Sequence, residues 1–135
     1  MGLVEQLEDE FDADLVDDFI THYSIMVYQM ENLIIGLENK DKYKNNVNEL
    51  FRIAHNIKSA SAYFELTTIN KLVVLLEDVL EEARKVDGLG DRVFVDWLLN
   101  VYDQLDIYKE DLEADSNEFS GLNKKIIHVP TTFIR

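Results

Sequence analysis

Apolar residues recur every three or four positions along most of this 135-residue chain, the spacing of helices that bury one face. Residues 1–10 are acidic and weakly patterned, enough for no more than a short leading helix. From Asp12 the period strengthens. Leu15, Phe19, His22, Met26, Met30, Leu33 and Leu37 predict a long helix to about Glu38, with Asp12 or Asp14 capping its N-terminus and Gly36 and Asn39-Lys40-Asp41 ending it. His22 lies on this stripe and is expected to pack in the core. A second helix is predicted over about Lys42–Glu65, followed by a turn at Leu66-Thr67-Thr68 with Thr67 as the next N-cap. A third, over about 68–86, places Leu72, Leu75, Leu76, Val79, Leu80 and Ala83 inside and Arg84 and Lys85 in its last turn, where cations suit the helix dipole. Gly88-Leu89-Gly90 breaks the chain. Asp91 then caps a fourth helix that runs to about Glu113 through Phe94, Trp97, Leu98, Val101, Leu105, Tyr108 and Leu112.

Four amphipathic helices joined by short turns predict an all-α, antiparallel four-helix bundle over residues 1–113. Such a bundle has no deep pocket, so functional groups must project from a helix face. Residues 114–135 change character. They open polar and become basic and apolar as LNKKIIHVPTTFIR, and Pro130 rules out a continuous helix. Ile126, Ile127, Val129, Phe133 and Ile134 are too apolar to stand fully in water. This C-terminal tail is expected either to dock on the bundle or to bind a partner or membrane-proximal surface.

The second helix carries the one histidine that its own pattern places outside. Val47, Leu50, Ala54, Ile57, Ser61 and Phe64 share one sector of the wheel, and His55 lies about 130° from its centre. Ser59 and Asn48 share the outward face of His55, while Lys58 and Ala62 stand between it and the stripe. A lone exposed histidine is ordinarily a surface residue. This one has a cation one turn away and small side chains beside it. On the third helix Glu77 also lies about 130° from the apolar centre, in the same rotational sense. For antiparallel neighbours that puts Glu77 and His55 on the same side of the seam, with Asp78 and Glu81 as further carboxylates on the outer face. A carboxylate accepting from Nδ1–H leaves Nε2 as a free nucleophile. Lys58 could neutralise a phosphoryl group bound there.

Charge and composition narrow the chemistry. Thirteen Lys and Arg against 27 Asp and Glu give a net charge of −14, which repels nucleic acid and anionic membranes. There is no cysteine, hence no disulfide framework or thiolate metal site. No long apolar run or secretory signal stands out, and a soluble, cytoplasmic protein without membrane insertion is expected. No phosphate-cradling glycine loop and no metal-ligand spacing accompany His55. Phosphoryl transfer needs both, so a partner would have to bring them, and no kinase activity of the chain's own is expected.

His55-Asn56-Ile57-Lys58-Ser59-Ala60-Ser61 is similar to HxxKGxS, the signature of the histidine phosphotransfer (HPt) family. The longer run LFRIAHNIKSASAYF, with LLEDVLEEAR at residues 75–84, resembles the N-terminal phosphotransfer domain of chemotaxis kinases of the CheA type. The likeness is close over the second and third helices and looser elsewhere, as at Tyr102–Leu112. It implies a phosphorelay intermediate with His55 as phosphoacceptor, Glu77 bonded to the imidazole and Lys58 near the phosphate. A histidine kinase ATP-binding domain would be the donor and a response-regulator receiver domain the acceptor. ATP and Mg²⁺ would sit on those partners, leaving this chain without a cofactor. Phe51, Arg52, Ser59 and Ala62 around His55 would meet them. The chain would be either a free-standing phosphotransfer protein or one domain of a larger kinase.

Two positions depart from the family pattern. Serine stands at residue 59 where glycine gives a partner room. Glutamate stands at residue 65 where glycine often ends the helix, which suggests that the helix ends differently, without a left-handed glycine cap. These departures and the tail keep a second reading open, a helical adaptor that is never phosphorylated. A hydrolase using His55 and Glu77 is disfavoured, because an exposed helix face cannot exclude water or preorganise an oxyanion site.

Overall fold

Each amphipathic segment is helical in the computed structural model, which describes residues 1–135. The helices are α1 (Leu3–Glu10), α2 (Ala13–Ile35), α3 (Lys40–Tyr63), α4 (Thr67–Ala83) and α5 (Arg92–Glu113), with 3-10 turns at Gly36–Glu38 and Lys124–Ile127. There is no strand, only an isolated antiparallel bridge between Gly90 and Ile134. Helices α2 to α5 run alternately up and down. α2 packs on α3 and α5, α3 packs on α4, and α1 lies against α2 and α5. Side-chain caps start three of them: Asp12 accepts from the Asp14 N–H, Asn39 from Asp41 and Asp91 from Val93. No helix is long and apolar enough to cross a membrane.

The buried face of α2 differs from the expected stripe. Val16, Phe19, Tyr23, Val27, Met30 and Ile34 are inside, and the exposed side includes Leu15 and His22. The helix carries two apolar stripes offset by one residue, about 100° of rotation. The one containing His22 loses because burying an imidazole needs a polar partner, whereas Tyr23 has one: its hydroxyl donates to the Leu105 carbonyl at 2.6 Å. Tyr43 makes a similar tie between α3 and α4, donating to the Ala83 carbonyl at 2.8 Å. The expected inward residues of α4 and α5 are buried, apart from Leu75, which is half-buried.

Two helix ends use the left-handed region without glycine. After α3, Glu65 has φ +56°. The Leu66 N–H reaches back to the Ser61 carbonyl at 2.8 Å and the Glu65 N–H to Ala62 at 3.1 Å, which is a Schellman closure. The helix therefore does not end differently, as glutamate here suggested: it keeps the left-handed closure without the glycine, and these bonds and burial of Leu66 carry the strain. The same closure moves the start of α4. Thr67 is its first helical residue rather than its N-cap, and Leu66 precedes it without a side-chain cap. α4 also ends earlier than expected, with Arg84 as its C-cap and Lys85 beyond. After α5, Asp115 has φ +50°, and the Ser116 N–H bonds the Asp111 carbonyl. Here the side chain contributes as well, because Asp115 Oδ1 accepts from the Val4 N–H at 2.8 Å and caps α1. Gly2 permits that approach, since a Cβ on it would fall 2.1 Å from Asp115 Oδ1.

Residues 114–135 run back along α5. Gln104, buried in α5, holds them with both ends of its amide: Nε2 donates to the Gly121 carbonyl and Oε1 accepts from the Asn123 N–H. Trp97 Nε1 donates to the Ile126 carbonyl at 2.9 Å, and Ile126 is fully buried. Phe119 packs edge-on to Tyr108, and Phe133 to Phe94. Ile127 and Val129 remain exposed.

The two left-handed residues predict opposite responses to glycine. Glu65→Gly should raise unfolding free energy by about 0.5–1 kcal/mol, because the relieved strain exceeds the added backbone entropy. Asp115→Gly gains similar relief but loses the side-chain cap of α1, worth about 1–2 kcal/mol, and should lower it by about 0.5 kcal/mol. Urea melts of the two variants check this.

Candidate functional site

The face that carries the site is the seam between α3 and α4. His55 and Lys58 stand one turn apart on α3, and Glu77 comes from the middle of α4 to meet both. His55 Nδ1 lies 3.0 Å from Glu77 Oε2, and Lys58 Nζ lies 2.7 Å from Glu77 Oε1. One carboxylate thus serves both nitrogen groups. The alternatives lie away from it: Asp78 is exposed and Glu81 is exposed and paired with Arg84 at 3.3 Å.

Exposure is graded across this triad. The His55 side chain is 55 % accessible and that of Glu77 only 15 %. Burial pushes the Glu77 carboxyl pKa up, but the hydrogen bonds from Lys58 and His55 and their positive charge outweigh it, so the net shift is downward. Glu77 is therefore ionised near neutral pH and can only accept hydrogen bonds. The hydrogen in its contact with His55 must then be on Nδ1, and in the neutral imidazole that leaves the Nε2 lone pair free. The Lys58 ammonium, one turn from His55, is engaged with Glu77 and steadies the carboxylate.

The surroundings are open. Ser59, Ala62 and Arg52 are exposed and Phe51 is half-buried. The Phe51 ring lies nearly parallel to the imidazole, 14° apart with centroids at 6.4 Å, and the Arg84 guanidinium sits 4.3 Å from the Phe51 centroid. The principal clefts of the molecule are not lined by His55. No group of three or more His, Asp or Glu side chains is placed to hold a metal ion. Charge is segregated as well. Residues 1–39 contain no Lys or Arg, whereas α3 carries Lys40, Lys42, Lys44, Arg52 and Lys58 against Asp41 and Glu49. The helix bearing His55 is thus net basic in an acidic molecule, while α4 facing it carries Glu77, Asp78, Glu81 and Glu82.

Sequence reasoning does not single out two neighbours of the site, Asn70 and Arg84, and it reads Ser61 only as part of the α3 stripe and of the family signature. Ser61 belongs to the α3 stripe and is buried, with Oγ donating to the Lys58 carbonyl at 3.1 Å. Asn70 Nδ2 donates to the same carbonyl at 3.1 Å and lies 3.2 Å from Ser61 Oγ. The one signal in the chain is spacing: Asn70, Glu77 and Arg84 recur every seven residues, so they drift only about 20° per step around α4.

Comparison with known proteins agrees with this geometry. A model of the Hpt domain family matches residues 2–115. The chain is 31 % identical over 111 residues to the chemotaxis protein CheA of Treponema pallidum, covering 80 % of this chain and 13 % of that protein. It is 32 % identical over 72 residues to the sensor histidine kinase CheAY of Helicobacter pylori, covering 53 % and 9 %. For CheA of Salmonella typhimurium the identity is 27 % over 111 residues, covering 79 % and 16 %. The chain therefore spans less than a fifth of the length of these relatives. No solved structure matches it significantly.

The lowered Glu77 pKa has a consequence for stability. A carboxylate with a depressed folded-state pKa stabilises the fold fully above its unfolded pKa, about 4.3, and loses that contribution as pH falls through the folded value. Glu77→Gln should be less stable than the parent at pH 7, and the gap should close at a pH below the folded pKa. Urea unfolding of both proteins across that range checks it.

Proposed function

Because the chain belongs to the Hpt domain family, a phosphotransfer module of two-component signalling, we propose that His55 accepts a phosphoryl group on Nε2 and passes it to a receiver-domain aspartate. The observation that carries this reading is the contact of Nδ1 with Glu77. It fixes the tautomer in which Nε2 is the nucleophile, on a surface open to another protein.

The donor in this reading is the ATP-binding domain of a histidine kinase, which holds nucleotide and Mg²⁺. The Nε2 lone pair forms a bond to the γ-phosphorus as the bond to the bridging oxygen breaks, and ADP departs with that electron pair. The ring then has substituents on both nitrogens and carries positive charge, which Glu77 offsets from the Nδ1 side. On transfer, an aspartate oxygen of the receiver bonds to phosphorus, the P–N bond breaks, and the pair returns to Nε2. Lys58 keeps Glu77 ionised and in place through both steps. Ser59 and Ala62 leave room for the partner, and Phe51 and Arg52 border its footprint. The similarity to CheA proteins makes chemotaxis the favoured setting.

Incubation with the ATP-binding domain of a CheA-type kinase, ATP and Mg²⁺ tests the reading by intact mass. One acid-labile phosphoryl group is expected on the parent protein, on His22→Gln and on His128→Gln, and none on His55→Gln. Undiminished labelling of His55→Gln would exclude His55 as the acceptor. A parent protein that takes no phosphoryl group from kinase or from phosphorylated receiver would instead be a helical adaptor.

A further inference from the structure

We infer that Asn70 is a positioning residue for the His55–Glu77 pair, acting through the register of α4 on α3. Its effect on transfer rate rests on His55 being the phosphoacceptor; its effect on the imidazole does not.

Glu77 meets Nδ1 only while α4 holds its place along α3. A slide of one residue moves a side chain about 1.5 Å along the axis, enough to open a 3.0 Å hydrogen bond beyond useful reach. Both helices present buried apolar residues to the core, Leu50, Ala54 and Ile57 on α3 and Leu72, Val73, Leu76 and Leu80 on α4. Apolar burial drives them together but is not directional. Directional ties are few. Tyr43 bonds the Ala83 carbonyl at the far end of α4. Asn70 bonds the carbonyl of Lys58, the residue whose ammonium holds Glu77 Oε1.

That last pairing closes a ring. Asn70 Nδ2 bonds Lys58 O; the Lys58 side chain bonds Glu77; and Glu77 is two turns along α4 from Asn70, on nearly the same face. Ser61, fully buried, supplies a second oxygen to the Asn70 amide at 3.2 Å and so holds its orientation. Two helices are thus locked at one rung, and the free oxygen of Glu77 is left aimed at His55. Tyr43 lies outside the ring, although it joins the same two helices.

The test reads the two ring nitrogens of His55 in ¹⁵N-labelled, unphosphorylated protein, with His55→Gln to assign the signals and Glu77→Ala as the uncoupled reference. In the parent protein the Nδ1–H tautomer should dominate. Asn70→Ala and the isosteric Asn70→Asp, which keeps the shape but loses the amide donor, should both shift the ring towards the tautomer balance of Glu77→Ala. Tyr43→Phe should lower the melting temperature and leave the tautomer unchanged. Phosphorylation by the kinase domain should slow by roughly an order of magnitude in the Asn70 variants, the scale on which a displaced reacting group is felt. Parent-like nitrogen signals in folded Asn70→Ala or Asn70→Asp would overturn the inference, as would the same shift in Tyr43→Phe. Failure of labelling in the parent protein would overturn the phosphotransfer reading and leave these nitrogen signals to decide the role of Asn70.

Discussion

A single carboxylate in the seam between two helices organises this molecule's chemistry. Glu77 has two oxygens, and each is committed, one to an imidazole and one to an ammonium. Burial pushes its pKa up, but the hydrogen bonds and charge of Lys58 and His55 outweigh that push, so the carboxylate stays ionised and accepts from His55. The bundle supplies what the pair needs: two antiparallel helices in register, with a convex outer face for the imidazole and a dry core beneath.

Much of this is readable from the chain because the relevant signals are periodic. The outward placement of His55 follows from Leu50, Ala54 and Ile57 being inside. The matching offset of Glu77 follows from Leu72, Leu76 and Leu80. Those wheels are unambiguous because each helix has one apolar stripe. α2 misleads because it has two, offset by one residue, and only the partner offered to the Tyr23 hydroxyl by Leu105 in α5 decides between them. Wheel geometry also gives Glu77 a facing but not a claim on it. The pattern leaves Lys58 free to await phosphate, and its commitment to Glu77 depends on a reach across the seam that spacing does not encode.

The helix ends are least legible. Glutamate at position 65 argues against a left-handed residue on local grounds, and local grounds lose. Two backbone hydrogen bonds and the burial of Leu66 favour the turn by more than the conformation costs. Asp115 adopts the same backbone for a reason found more than a hundred residues away, the unsatisfied N–H groups at the start of α1. The docking of residues 114–135 likewise depends on the Gln104 amide and the Trp97 indole, polar atoms within a helix face whose apolar pattern gives no hint of a partner.

The openness of the imidazole also sets an order of events. An imidazole on a convex helix face has a single accessible hemisphere, the one away from the helix. Any macromolecule close enough to react with Nε2 covers the same few residues as any other, among them Ser59 and Ala62. In the phosphotransfer reading, donor and acceptor would therefore meet the imidazole in turn rather than together.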